Sequence, residues 1–418
     1  MSDSPAGASS GGSLESLRRA NRLRVVDALR REGSVSRGDL MRITNLSRTT
    51  ITTLIGELQD YGIVVESEVD PRPERPGRGR PPTRLRLTPR AGAALGVDFG
   101  HRHLRVALAD LSSTVLAERR VDVDVDTSAE HALDAAAAMV AEVLDEAGLS
   151  IQQVIGVGMG LPGPIDRRTG LVRSSVILPG WVGLNAGDEF ARRLNVHVDV
   201  DNDANLGALG EHTLGAGRGY DDVIYVKVAS GIGAGIVLGG RLHRGVTGNA
   251  GEIGHVQVRP DGVVCRCGNR GCLETVASAT ALLATLRPVH GSELDMSGLL
   301  ELAGREDPGT LRVIKDAGRA VGQALGDLCN SLNPAAIIVG GELSAVGPSL
   351  IEGIREAVDR HAQPGAAEAV SVMRGVLGDR AEVLGALTLV IGDTERLSSV
   401  GLVALRDDDA AAWKPGSP

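Results

Sequence analysis

Apolar residues recur at helical spacing in the first 35 positions of the chain. They predict one helix over residues 14–31, on the stripe formed by Leu14, Leu17, Val25, Val26 and Leu29. Gly33 ends this helix. Ser36 is expected to start a short second helix, because Asp39 stands three residues later as its capping-box partner. The inner side of the second helix would be formed by Leu40 and Ile43.

A third helix is predicted after a turn at residues 44–46, with Ser47 as its N-cap and Gly62 closing it. Its apolar positions fall at i, i+3, i+4, i+7 and i+10: Ile51, Leu54, Ile55, Leu58 and Tyr61. This order is typical of a helix-turn-helix, whose last helix enters the DNA major groove by its N-terminal end. The residues predicted to reach phosphates or base edges are Arg48, Thr49, Thr50 and Thr53. The same pattern also fits a three-helix module that binds protein.

Two short β-rich runs, 63–65 and 83–87, predict the hairpin of a winged helix. Between them lies PRPERPGRGRPPT, which is too rich in proline and arginine to form a core. Arg78 and Arg80 stand on a slim, extended backbone there. Such a segment suits a narrow A·T minor groove, where the negative potential attracts arginine. The alternative is a stiff, solvated linker.

From Ala94 onward, strands alternate with helices. A buried strand at 94–100 is followed by a partner at 103–110, a helix at 128–147, and strands at 154–160 and 196–200. A second block repeats this order, with strands at 223–228 and 236–238, a helix at 311–332 and a strand at 336–339. Two similar blocks predict a duplicated α/β fold with a cleft between two lobes.

Length and charge divide the chain into unequal parts. A chain of 418 residues is expected to hold two or three domains. Residues 14–90 contain 16 Arg and 10 acidic residues, a net charge of +6, whereas residues 91–418 carry −14 of the total of −9. A small basic module on an acidic body indicates an anionic partner for the N-terminal part alone, with nucleic acid as the leading candidate.

No run of 18 apolar residues occurs, so no membrane span is predicted. The N-terminal MSDSPAGASSGGS has neither a basic nor a hydrophobic region, and we interpret it as a flexible tail rather than a signal peptide. The expected location is the cytoplasm, where thiols stay reduced.

Residues 252–274 read EIGHVQVRPDGVVCRCGNRGCLE and contain three of the four cysteines. One imidazole and three thiolates are the ligands of a tetrahedral structural zinc, and here they would be His255, Cys265, Cys267 and Cys272. A disulfide or unrelated buried thiols are the alternatives. Cys265 and Cys267 are too close to bridge comfortably, and the chain lacks the cysteine density of a secreted, disulfide-stapled domain.

The glycine-rich run SGIGAG at 230–235 differs from a dinucleotide-binding loop. A Rossmann loop leads from a strand into a helix, whereas here a β-branched strand follows. We interpret the run as a hairpin whose backbone N–H groups face a phosphate, as in actin-like ATPases of the hexokinase type.

Five stretches resemble the ROK family (repressors, open reading frames and sugar kinases), and specifically its transcriptional regulators. They are GMGLPGPID at 158–166, DNDAN at 201–205, SGIGAGIVLGG at 230–240, the cysteine segment, and NPAAIIVGG at 333–341. The resemblance spans nearly all of residues 92–400. It implies two actin-like lobes with a sugar in the cleft, and oligomers built from dimers.

The resemblance also implies roles for individual residues. Asn202 and Asp203 match the family's contacts to sugar hydroxyls, and Asp203 matches the catalytic base of its kinases. Glu252, His255 and Glu274 match the residues that hold the other hydroxyls. Hydrogen bonds to ionised groups are about twice as strong as neutral ones, which suits this task. Trp181 either lines the pocket or simply packs in the core.

One loop departs from the kinase pattern. Family kinases carry Asp-x-Gly-Gly-Thr after the first strand, and this chain has DFGHRH at 98–103. The residues that remain of the phosphate loops are Asp98, Gly100, Gly231, Gly233, Gly340 and Gly341. Bulky side chains replace the second glycine and the threonine, which compromises close phosphate approach and argues against ATP–Mg²⁺ as cofactor. His101, Arg102 and His103 could instead bind a phosphorylated ligand.

The sequence thus predicts a winged helix joined to an actin-like α/β domain. The expected domains are a tail at 1–13, the winged helix at 14–70, an Arg/Pro-rich wing and linker at 71–91, the ROK domain at 92–403 with its zinc loop at 255–272, and a disordered tail at 404–418. The predicted function is a sugar-responsive repressor that binds operator DNA as a dimer or larger oligomer and is not an enzyme. The alternatives are an active sugar kinase that carries a DNA-binding module, and an interaction module with neither activity.

Overall fold

The computed structural model describes residues 11–67, 83–88, 91–166, 169–172 and 176–393. The predicted DNA contacts Arg78 and Arg80, residues 1–10 and the tail at 404–418 lie outside these ranges. The N-terminal elements are α1 (Gly11–Glu32), β1 (Val35–Ser36), α2 (Arg37–Thr44), α3 (Arg48–Asp60), β2 (Val64–Ser67) and β3 (Arg84–Leu87). The strands form an antiparallel sheet in the order β1-β3-β2. The winged-helix prediction is therefore confirmed, and α1 begins three residues earlier than expected.

The helix caps are those that the sequence predicts. Ser36 accepts a hydrogen bond from the Asp39 backbone N–H at 3.1 Å, and its own N–H donates to the Asp39 carboxylate at 3.3 Å. Ser47 accepts from the Thr50 N–H at 3.1 Å. Asn45 ends α2 in the left-handed conformation, with φ of 53°, which asparagine tolerates better than most residues.

Three residues assigned to the apolar stripes are exposed, which corrects the prediction for them. Tyr61 is 43% exposed because it caps α3 rather than continuing it. Ile43 is 42% exposed, since Leu40 and Thr44 take the inner side of the two-turn α2. Leu17 is 57% exposed, and Val25 is the first buried residue of α1 among those whose side chains the structure describes.

The first lobe is built on a five-stranded sheet. Its strands are β4 (Ala93–Phe99), β5 (His103–Asp110), β6 (Val115–Asp122), β7 (Val154–Leu161) and β8 (Val198–Asn202), in the order β6-β5-β4-β7-β8. Helices α4 (Ala129–Ala147) and α5 (Ala186–Leu194) cover one face. The expected strand at 196–200 lies two residues further along, so β8 delivers Asn202 directly to the following helix.

The second lobe repeats this sheet. Its strands are β9 (Val223–Val228), β10 (Ile232–Leu238), β11 (Arg241–His243), β12 (Ala336–Gly340) and β13 (Ser371–Arg374), in the order β11-β10-β9-β12-β13. Each sheet has three antiparallel strands followed by two strands that pair in parallel, which confirms the predicted duplication. β10 begins at Ile232, so four of the six residues of the glycine run lie within a strand rather than in a loop.

The remaining helices complete the two lobes. They are α6 (Asp203–Leu214), α7 (Glu274–Ala277), α8 (Ala279–His290), α9 (Met296–Gly304), α10 (Pro308–Leu332), α11 (Pro348–His361), α12 (Pro364–Ala369) and α13 (Ala381–Ile391). Within the described ranges, no helix has the length and apolar character that crossing a membrane requires.

Helices α6 and α13 pack against each other between the two sheets. At Gly158 of β7, an added Cβ would lie 2.0 Å from the Ala386 carbonyl oxygen, so only glycine allows α13 this close to the first sheet. The apolar residues of α13 belong to the same continuous cluster as the core of the winged helix, which contains Leu384, Leu387, Val390 and Ile391 beside Leu29, Ile55 and Leu87. The two parts of the protein therefore share one core.

Candidate functional site

A cavity of about 660 Å³ lies between the lobes. Five residues predicted for sugar binding line it: Asn202, Asp203, Glu252, His255 and Glu274. They come from the start of α6, the loop after β11, and the start of α7. The structure thus brings together side chains that are up to 72 positions apart in the sequence.

Asn202 and Asp203 are fixed by the start of α6. The Asn202 side-chain oxygen accepts from the N–H groups of Ala204 (2.9 Å) and Asn205 (3.3 Å), so Asn202 is the N-cap of the helix. Its amide nitrogen donates to the Gly163 carbonyl at 3.1 Å. The Asp203 Oδ1 accepts from the Ala204 N–H at 2.8 Å. A carboxylate at a helix N-terminus is stabilised by the helix dipole, which suits Asp203 to accept hydrogen bonds from hydroxyl groups.

Two residues that were not predicted from the sequence, Lys227 and Glu382, lie next to Asp203. The Lys227 ammonium donates to the Asp203 Oδ2 at 2.9 Å and lies 3.0 Å from the Glu382 Oε1. Both Lys227 and Glu382 line the cavity. A lysine inside the apolar run VIYVKV and a glutamate at the head of the apolar helix α13 were the available sequence signals.

Glu252 and Glu274 differ in their surroundings. The Arg266 guanidinium holds Glu274, with its Nε 2.8 Å from Oε1 and its Nη2 2.8 Å from Oε2. Burial and, to a smaller extent, the nearby carboxylates of Asp203 and Glu274 together raise the pKa of Glu252 to about 7. Glu252 can therefore both donate and accept a hydrogen bond near neutral pH, whereas Glu274 is fixed by its guanidinium partner.

The four predicted metal ligands form one cluster. The ligand atoms of His255, Cys265, Cys267 and Cys272 all lie within 4.8 Å of one another. The Cys265 Sγ is 3.6 Å from the His255 Nδ1, and the Cys267 and Cys272 sulfur atoms are 3.7 Å apart. Zinc–sulfur bonds of about 2.3 Å in a tetrahedron place two sulfurs about 3.7 Å apart, so the spacing fits a zinc ion.

The chemistry of the thiols also fits a cation. Burial, followed by hydrogen bonding and charge repulsion from the neighbouring thiols of Cys267 and Cys265, raises the pKa of Cys272 to about 12. A divalent ion removes that repulsion by binding the thiolates directly. Gly271, with φ of +67°, lets the loop close around this point, since an added Cβ would lie 1.5 Å from the Arg259 carbonyl oxygen.

His255 joins the cluster to the cavity. Its Nδ1 faces Cys265, while its Nε2 lies 3.9 Å from the Glu252 Oε2 on the cavity side. A metal on Nδ1 would fix the ring orientation and leave Nε2 as the hydrogen-bonding atom toward a ligand.

In the first predicted phosphate loop, the side chain of His103 fills the space beside the backbone. The His103 ring folds over Gly100, where an added Cβ would lie 2.1 Å from its Cε1 atom. The His103 Nε2 is 2.9 Å from the Oδ2 of the buried Asp98. A phosphate could reach the Gly100 backbone only after this ring moved away.

The other phosphate-loop residues have mixed positions. Gly100, Gly231, Gly233 and Gly341 line the cavity, whereas Asp98 and Gly340 are not part of its lining. The backbone N–H of Ile232, in the glycine hairpin, donates to the Glu274 carboxylate at 3.3 Å. The hairpin that we expected to face a phosphate therefore binds the carboxylate of Glu274, one of the residues predicted for sugar binding.

Two other candidates from the sequence can now be placed. Trp181 is fully buried, donates from Nε1 to the Val125 carbonyl at 2.8 Å, and packs edge-on against Phe99 with ring centroids 5.2 Å apart. It belongs to the core and is not in the cavity lining. His101 and Arg102 do line the cavity, and the His101 Nδ1 lies 2.7 Å from the Asp126 carboxylate.

The exposed face of α3 carries the predicted DNA contacts. Arg48, Thr49 and Thr53 are exposed at or near the N-terminal end of the helix, opposite its buried residues Ile51, Leu54, Ile55 and Leu58. Thr50 is half-buried, and its hydroxyl lies 2.8 Å from that of Ser47. Thr50 therefore supports the helix cap. Among the described residues, Arg48 has no ion-pair partner.

Comparison with known proteins adds three relatives and two family matches. The sequence model of the ROK family matches residues 94–393, and that of "Winged helix-turn-helix DNA-binding" matches residues 18–65. The xylose repressor of Bacillus spizizenii is 28% identical over 375 residues, which cover 90% of this chain and 96% of the repressor. The glucokinase of Thermotoga maritima is 34% identical over 311 residues, 71% of this chain and 96% of the kinase.

Among solved structures, a ROK family transcriptional regulator described as a homologue of the Escherichia coli Mlc protein superposes with a TM-score of 0.74 at 26% identity. The match covers 93% of this chain and 99% of the regulator. The kinase match covers 71% of this chain, whereas the two regulator matches cover 90% and 93% of it. The chain belongs to the ROK family and carries an N-terminal winged helix-turn-helix.

Proposed function

We propose that this protein is a sugar-responsive, DNA-binding transcriptional regulator of the cytoplasm, and that it represses genes of carbohydrate uptake or metabolism. The observation that carries the proposal is the shared core of the winged helix and α13, whose first turn reaches the sugar cavity through Glu382. Support also comes from the regulators that match over nine-tenths of this chain.

DNA binding would use the winged helices of a homo-oligomer. Two copies of α3 would read half-sites of an inverted repeat about 34–36 Å apart, or a multiple of that distance. Arg48, Thr49 and Thr53 would contact phosphates or base edges, and Arg78 and Arg80 would add minor-groove contacts. A sugar would change the DNA affinity only by as much as it prefers one arrangement of the lobes over the other.

Sugar binding would use the two kinds of hydrogen-bonding group in the cavity. Asn202, Asp203 and Glu274 would accept or share hydrogen bonds with hydroxyl groups, while Glu252 would donate or accept. A zinc ion held by His255, Cys265, Cys267 and Cys272 would supply a fixed structural cation. It would hold the His255 ring at the wall of the cavity, and it takes no further part.

Kinase activity is not part of the proposed function, because His103 covers the Gly100 backbone that phosphate would approach. The likeness to a glucokinase and the presence of Asp203 favour the rival proposal of an active sugar kinase. A coupled ADP-release assay with glucose, xylose and N-acetylglucosamine separates the two. Turnover that disappears in Asp203→Ala would establish the kinase.

Operator binding tests the proposal itself. Fluorescence anisotropy with DNA from upstream of the protein's own gene, competed with unrelated DNA, is expected to show specific binding. Thermal shift against a sugar panel identifies the effector, which should raise the melting temperature and change the DNA dissociation constant. Failure to bind any upstream DNA specifically, with or without sugars, would rule the proposal out.

A further inference from the structure

Lys227 reaches the cavity because of strand alternation in β9. Ile224, Val226 and Val228 point to the apolar core of the second lobe, so residues 223, 225 and 227 point to the opposite face. Val223 and Tyr225 pack in a separate apolar cluster on that face. Lys227 is the last of the three, next to the glycine hairpin, and its side chain emerges at the floor of the cavity.

The ammonium group of Lys227 is enclosed by acidic side chains. It lies 2.9 Å from the Asp203 Oδ2 and 3.0 Å from the Glu382 Oε1, and all three side chains are largely buried. The Tyr225 hydroxyl donates to the same Glu382 oxygen at 3.4 Å. Burial opposes the positive charge, but the carboxylates of Asp203 and Glu382 outweigh it and raise the pKa of Lys227 well above its usual value. The lysine is therefore charged whenever these carboxylates are ionised.

Both oxygens of Asp203 are already engaged. Oδ1 accepts from the Ala204 N–H, and Oδ2 accepts from Lys227. Each oxygen still has a lone pair for a sugar hydroxyl. A carboxylate held in this way can accept a hydrogen bond from a sugar hydroxyl in a fixed direction.

A divalent metal ion at the position of the Lys227 ammonium group would also place a buried positive charge between the two carboxylates. Nζ lies about 3 Å from each oxygen, and a shift of under 1 Å by each carboxylate would bring both within the roughly 2.1 Å of a metal–oxygen bond. An ammonium and a divalent ion cannot occupy this position together, because their mutual repulsion in a poorly solvated site would be large.

We propose that Lys227 is an internal cation that holds Asp203 and Glu382 in place and excludes a divalent ion from the floor of the cavity. The inference rests on the proposed function, since it explains how the cavity can bind a sugar as a signal without metal–nucleotide chemistry. It assigns Lys227 as a positioning residue, which acts on the sugar through Asp203.

The test is Mn²⁺ binding by the full-length, zinc-loaded protein at pH 8, followed by the EPR signal of free Mn²⁺ and by the melting temperature. The informative variant is Lys227→Met, which keeps the length of the side chain and removes its charge. Lys227→Gln is the second variant, because its amide can still donate to one carboxylate if the methionine variant does not fold. Lys227→Arg restores the charge. Lys315→Met is the matched control, since it breaks ion pairs with Glu352 and Glu356 on the outside of the second lobe.

The expected result is that wild type, Lys227→Arg and Lys315→Met bind no Mn²⁺ at millimolar concentration. Lys227→Met or Lys227→Gln should bind one equivalent, at least tenfold more tightly than wild type, and Mn²⁺ should raise its melting temperature by several degrees. Equal Mn²⁺ binding by the wild type and the neutral variants, or none in either, would overturn the proposal. The titration contains neither DNA nor sugar, so its failure would leave the regulator proposal to the operator-binding experiment.

Discussion

Replacing Cys267 by serine should remove the metal and weaken sugar binding together. Cys267 is the one exposed member of the cluster, so the change leaves the core intact. A serine hydroxyl keeps its proton at neutral pH and does not replace a thiolate ligand. The remaining donors, His255, Cys265 and Cys272, cannot complete a tetrahedron by themselves.

The expected losses of zinc and sugar affinity can be worked out from the one zinc ligand and the one hydrogen bond that the change removes. Structural zinc contributes about 10–16 kcal/mol in small zinc domains, so one ligand of four is worth about 3 kcal/mol, or roughly a hundredfold in zinc affinity. Without the ion, the ring of His255 is free to turn away from the cavity. Losing its hydrogen bond to a hydroxyl would cost about 1–2 kcal/mol, or roughly 5- to 30-fold in sugar affinity.

Zinc content by mass spectrometry and sugar affinity by calorimetry measure the two effects on the same sample. Val263→Ser is the matched control, because it lies in the same loop, is 65% exposed and offers no ligand atom. It should keep both zinc and sugar binding. An unchanged sugar affinity in a Cys267→Ser sample shown to be zinc-free would refute the coupling through His255.

Three further changes test other parts of the structure. Arg48→Ala should weaken operator binding by about 1–3 kcal/mol in an anisotropy titration. It should leave the melting temperature unchanged, because the side chain has no ion-pair partner among the described residues. A drop in the melting temperature would instead show that Arg48 has a structural role. Trp181→Ala should lower the free energy of unfolding by about 3–5 kcal/mol in a denaturant melt, since Trp181 packs in the core. The sugar affinity should not change. Loss of sugar affinity in the folded variant would contradict the assignment of Trp181 to the core. Hydrogen bonds from Ser36 and Arg42 lower the pKa of Asp39, so its contribution to stability is present above pH 3.8 and is lost as the pH falls through its lower folded value. Acid titration of Asp39→Asn should lack that component, and an unchanged acid profile would argue against it.

Much of the fold follows from local sequence patterns. The caps at Ser36 and Ser47 and the buried stripe of α3 are local features, and the structure confirms them. Strands with continuous apolar runs were also predictable, because both faces of each central strand are buried. The edge strand β6 was not predicted, since Ala117 is its one buried residue and its last four residues are exposed, so it lacks the apolar run of a central strand.

The cavity was predictable only in part. The motifs around Asn202, Glu252 and Glu274 are compact in sequence, and resemblance supplied their expected roles. Lys227 and Glu382 were missed because they lie 155 positions apart and neither stands in a motif. Their ion pair exists only because β9 and α13 meet beneath the cavity. The closure of the phosphate loop by His103 could be anticipated from its bulk, but its hydrogen bond to Asp98 could not.

The most direct test of the proposed function is whether the sugar and operator DNA change each other's dissociation constants by the same factor. The operator dissociation constant would be measured with and without the effector sugar, and the sugar dissociation constant with and without operator DNA. The two ratios must agree if one equilibrium links the cavity to α3, and a coupling of about 1–3 kcal/mol would make each ratio about 5- to 150-fold. We predict equal ratios in this range for the wild type and no sugar effect on DNA affinity in Asp203→Asn. A sugar that binds with the same affinity whether or not operator DNA is present would contradict the account.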